Sequence, residues 1–129
     1  MLKDEVKSII EKRKSYDPED YINIEKSWNE LTDKLCENLD ESIKYLSNEC
    51  QYEEFSWISE VFDAVVDKTQ SKEFIACLDK VYDKYKDMDK DHIDLSIEAA
   101  KDKLDWFVIK LKRMIAILFY LVQSVIIFH

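Results

Sequence analysis

Residues 52–87 read YEEFSWISEVFDAVVDKTQSKEFIACLDKVYDKYKD. Phe55, Ile58, Phe62 and Val65 recur three and four residues apart, and Trp57, Val61 and Ala64 widen the same apolar face. That period predicts an amphipathic helix over 52–68 with a central place in the core. Phe74, Ile75, Leu78, Val81, Tyr82 and Tyr85 repeat the pattern in a second helix over 72–86. Only Thr69, Gln70 and Ser71 stand between the two, with Ser71 placed to cap the second. So short a connection predicts an antiparallel helical hairpin.

The same period extends in both directions. Leu2, Val6, Ile9 and Ile10 mark a first helix over 2–14. Asp17 followed by Pro18 predicts an N-cap and the first position of the next helix. Tyr21, Ile24, Trp28, Leu31 and Leu35 give that helix its stripe, and Leu39, Ile43 and Leu46 continue it. It is either one helix to about residue 46 or two that part near Asn38, with Asp40 as a new cap. Residues 47–51 read as a loop. Downstream, Asp91 or Asp89 caps a further helix striped by Ile93, Ile97, Ala100 and Leu104, with Phe107 and Leu111 extending it. The expectation is an all-α fold of five or six helices, in antiparallel hairpins that form a bundle or a short HEAT-like solenoid.

Composition agrees. The 129 residues include no glycine and one proline. Phosphate-cradling loops and tight hairpin turns need glycine, so nucleotide-binding turns of that kind and most β-architectures are excluded. All 28 acidic residues lie between Asp4 and Asp105, against 16 basic ones, so residues 1–105 carry −12. The remaining 24 residues carry Lys110, Lys112 and Arg113 and no acid, a net +3. This divides the chain into an acidic helical domain, 1–105, and an apolar C-terminal helix, 106–129. A −12 body disfavours nucleic acid and anionic membrane as its partners and favours a basic protein. Cys36, Cys50 and Cys77 form no CxxC pair, and the chain opens with no signal peptide, which predicts reduced, packed thiols and a cytoplasmic protein.

Candidate chemistry is sparse. Asp87, Asp89, Asp91 and Glu98 fall at positions 1, 3, 5 and 12 of a calcium loop. His92 stands where such a loop needs glycine for its turn, and Asp94 where an apolar residue belongs. The expectation is therefore no metal and no cofactor, with these acids ordering the start of the next helix. His92, the single internal histidine, would have to serve any nucleophile alone, and no catalytic residue is expected. Asp79, Asp83 and Asp87 lie four apart on one helix, and Asp89, Asp91 and Asp94 prolong them into a negative ridge, the candidate partner-binding surface.

Residues 114–128, MIAILFYLVQSVIIF, carry no charge. Fifteen helical residues span about 22 Å, less than a hydrocarbon core of roughly 30 Å. Three readings stand: a membrane anchor over 109–128 entered past the basic residues, a helix packed on the others, or a segment foreign to the domain. Left unshielded, it would drive self-association.

The Trp57-Ile58-Ser59-Glu60-Val61-Phe62 helix, the connection from Thr69 through Ile75 and the helix after it resemble small all-helical immunity proteins of bacterial polymorphic and contact-dependent toxin systems. The resemblance covers about residues 17–104 and implies a non-enzymatic cytosolic inhibitor of one cognate toxin, with no catalytic residue to assign. The alternative is a membrane-tethered adaptor or structural protein using the C-terminal helix.

Overall fold

The computed structural model describes residues 1–128, and the side chains of all of these except 105–109 and 128. Phe107, expected on the last stripe, lies outside the described side chains. The described residues form seven α-helices and two short 3-10 turns, with no strand.

Helix α1 (Leu2–Ser15) buries the four expected residues, Leu2, Val6, Ile9 and Ile10. Asp4 and Glu5 lie in its first turn and Lys12, Arg13 and Lys14 in its last, an arrangement that complements the helix dipole. Asp17 and Pro18 do not begin α2 (Tyr21–Glu37). The Asp17 carboxylate accepts the Glu19 amide (2.9 Å) and its carbonyl accepts that of Asp20 (2.9 Å), so both are spent on a turn. Asp20 is the cap, accepting from the Asn23 amide at 3.3 Å.

The buried residues of α2 are Ile24, Ser27, Leu31, Thr32 and Leu35, while Tyr21 is 73% and Trp28 38% exposed. Ser27 satisfies its hydroxyl on the Asn23 carbonyl (3.1 Å), so a small side chain occupies the inward position and the bulkier Trp28 lies at the flank. The chain parts at Asn38, whose extended backbone ends α2 and whose side chain accepts the Glu41 amide (3.2 Å) to begin α3 (Leu39–Asn48). Asp40 has no part in that cap. Ser42, fully buried, ties the joint by donating to the Leu35 carbonyl at 2.7 Å.

The expected helix over 52–68 is three pieces: α4 (Tyr52–Ile58), a 3-10 turn (Ser59–Val61) and α5 (Phe62–Thr69). Val61 leaves helical geometry at φ −120°. The tightened turn shifts the register of the inward face, so Val61, Phe62, Val65 and Val66 are buried and Ala64 is exposed. With the break at Asn38, it raises the helix number from the expected five or six to seven. Ser71 caps α6 (Lys72–Tyr85) as expected, accepting the Phe74 amide at 3.0 Å. A second 3-10 turn (Lys86–Met88) leads to α7 (Ile93–Phe128).

Despite their short connection, α5 and α6 are not each other's main partner. Helix α5 lies along α7 and α2, and α6 along α3 and α7. The first turns of α7 supply the surface both need, with Ile93, Ile97 and Ala100 buried. Contacts run from α1 to α2, α5, α7, α6, α3 and back to α1, a closed circuit around one apolar core. At its centre Phe62 meets Phe55 at 5.2 Å and Phe74 at 6.4 Å between ring centroids. Cys50 and Cys77 are buried and Cys36 half-buried, all three free thiols. Burial pushes the Cys50 thiol up to about 12, which leaves it protonated and unreactive at neutral pH.

Candidate protein-binding surface

The six carboxylates of the expected ridge run from the middle of α6 through the turn and loop after it to the first turn of α7, and they divide by what holds them. Asp79 pairs with Lys101 of α7 (3.1 Å), which also approaches Glu98 (3.7 Å). Asp89 accepts the amides of Asp91 (3.1 Å), Ile93 (3.1 Å) and Asp94 (3.4 Å), and the Tyr82 hydroxyl (3.1 Å). Partial burial works to raise its pKa, but these donors together outweigh burial and hold the carboxyl below its ordinary value. Asp89 therefore opens α7, satisfying amides that would otherwise lack partners.

Asp91 does not cap. Its carboxylate accepts the Tyr52 hydroxyl (2.8 Å) and the Ser56 hydroxyl (2.9 Å) of α4, and these bonds lower its pKa. The Tyr52 oxygen also accepts the Lys90 amide (3.2 Å). Tyr52, Ser56 and Tyr82 thus clamp the loop. Tyr52 and Ser56 stand one turn apart on α4, the only local hint in the sequence that they act together.

Asp83, Asp87 and Asp94 remain exposed. Next to them in sequence, Met88 is 55% and Leu95 62% exposed. Asp87 and Met88 lie in the 3-10 turn before the clamped loop, Asp94 and Leu95 in the first turn of α7 after it, and Asp83 on α6 one turn upstream of Asp87.

The calcium-loop positions do not converge. Asp89 spends both oxygens and Asp91 its Oδ2 on protein donors, Glu98 faces Lys101, and α7 begins at Ile93, inside the span such a loop would need. No group of three or more His, Cys, Asp or Glu among the described residues is placed to hold a metal ion. His92 does take the left-handed conformation (φ 59°) that glycine would supply.

Two further polar sites escaped the sequence reading. Arg13 of α1 forks onto Glu60 (3.0 and 2.9 Å) with its guanidinium 5.2 Å from the Trp57 ring, pinning α1 over the 3-10 turn. Glu54, close to Lys7 (3.5 Å), accepts the hydroxyl of buried Tyr45, and burial and that contact raise the Tyr45 pKa. A groove of about 720 Å³ beside this pair is lined by lysine, acidic and amide side chains with Met1, Leu2 and Tyr45.

No family model, curated protein or solved structure matches the chain.

Proposed function

We propose that the chain is a non-enzymatic protein-binding domain, an immunity-type inhibitor that engages a basic partner through Asp83, Asp87 and Asp94. The observation that carries this reading is the division of labour in the ridge. Asp89 and Asp91 are consumed in holding the loop, and Asp79 in an ion pair, while the exposed carboxylates of Asp83, Asp87 and Asp94 hold no hydrogen bond or ion pair among the described residues, and Met88 and Leu95, next in sequence to Asp87 and Asp94, are exposed too. Apolar anchors rimmed by charge are the composition of protein interfaces, and fixed charge steers and orients an opposite partner. The closed helix circuit supports a bundle over a solenoid, in which the first and last elements would stand apart.

The test is affinity capture of one basic protein by the full chain from its native cell. Reversal of all three, Asp83→Lys, Asp87→Lys and Asp94→Lys, is expected to abolish capture with the melting temperature kept within a few degrees, and raised salt to weaken the native complex. Equal capture by the reversed variant would refute this choice of surface.

A further inference from the structure

Helix α7 outlives the core it helps to build. Leu104 is its last described side chain packed against the core, and from Leu111 to Ile127 its apolar residues face solvent. Five consecutive residues, Ile117, Leu118, Phe119, Tyr120 and Leu121, are 60%, 61%, 65%, 68% and 54% exposed. Consecutive helical residues step by about 100°, so these five point in every direction around the axis. The expected alternative of a final helix packed on the others is therefore not what these side chains do.

The direction of exposure chooses among the covers for this surface. A single helical partner covers one stripe of a helix, roughly 100° wide, and leaves the other faces wet. A helix lying flat on a membrane needs a broad polar face, and Tyr120, Gln123 and Ser124 make only a narrow one. Fluid hydrocarbon covers every side at once. Among the described residues no helix is long and apolar enough to cross a membrane, and the uncharged run spans about 22 Å against roughly 30 Å. That length passes one leaflet and stops short of the far headgroups. Lys112 and Arg113, both exposed, stand at the entry, where long cationic side chains reach anionic headgroups.

We propose that residues 114–127 insert into a lipid bilayer from one face, with Lys112 and Arg113 seated on anionic headgroups. The −12 body gains nothing from such a surface, so the helix alone carries the binding. The residues involved are separate from Asp83, Asp87 and Asp94, and either proposal stands without the other.

Flotation of the full-length chain with vesicles of 70% phosphatidylcholine and 30% phosphatidylglycerol tests it. The chain is expected to float with the vesicles, and the double variant Ile117→Glu, Leu121→Glu to remain in the aqueous layer with an unchanged melting temperature. Lys112→Gln with Arg113→Gln is expected to lower the partition coefficient roughly 25-fold, about fivefold per basic side chain. Three results would each overturn the proposal: a chain that stays aqueous as a monomer, one that stays aqueous as a defined oligomer with the helix covered by its copies, or flotation undiminished by Ile117→Glu, Leu121→Glu.

Discussion

Gln70 and His92 hold φ angles of 52° and 59°, in the left-handed region that costs a residue with a Cβ roughly 1–2 kcal/mol. A chain without glycine must still end and begin helices, and these two residues do it with strain. Gln70 repays part of the cost. Its amide donates to the Val66 carbonyl (2.7 Å), and its side-chain nitrogen to the Val66 (3.1 Å) and Asp67 (3.2 Å) carbonyls. Its side-chain oxygen is enclosed with no hydrogen-bond partner among the described residues. His92 is exposed, and its carbonyl accepts the Leu95 amide at 3.1 Å, a bond that glycine keeps. His92→Gly is therefore expected to raise the melting temperature by a few degrees, and Gln70→Gly by less, in paired thermal denaturations. Equal or reversed effects would show that the His92 side chain contributes more than strain.

At the scale of the element, the start of α7 is decided by which aspartate receives its amides. Asp89→Ala is expected to cost about 1 kcal/mol at neutral pH, read by denaturant titration. The Asp89 carboxyl is lowered in the fold, so its contribution is complete above the ordinary value of 3.8 and is lost as pH falls through the folded value below it. The gap between native chain and variant should thus be constant from pH 7 to 5 and close in stronger acid. The sequence shows two aspartates with equal claim to this role. What separates them is Tyr52 and Ser56, 39 and 35 residues upstream of Asp91, which no local pattern reveals. Ser71 was legible because capping is local, and the α1 stripe because its four apolar residues leave one solution. The turn at Ser59–Val61 was not, since those residues suit an unbroken helix and carry no breaking signal. Trp28 misled for the opposite reason. Hydrophobicity ranks it above Ser27, but Ser27 lies in register with buried Ile24 and Leu31 and Trp28 falls at the flank of that stripe. Of the ridge, the sequence shows every carboxylate but not which three are already spent.

For the whole molecule, charge and burial both change along α7. Removing residues 111–129 takes away no buried residue that the structure describes. The shortened chain is expected to melt within a few degrees of the full one and to resist aggregation at concentrations where the full chain in water does not. A large loss of melting temperature would mean that the distal helix shields the core. The boundary between the two regions falls within one continuous helix, Ile93–Phe128, 36 residues and about 54 Å long. Mechanically, that helix is a rod with one end built into the core. An axial pull on residues 111–127 is delivered, without slack, to Ile93, Ile97 and Ala100. A displacement of one turn, about 5.4 Å, would carry each of these about four positions along, bringing Ile97 to the place of Lys101 and leaving the place of Ile93 to the loop before the helix. The core resists such a slide as a latch resists a bolt, and the same side chains that complete the fold set the load it can bear.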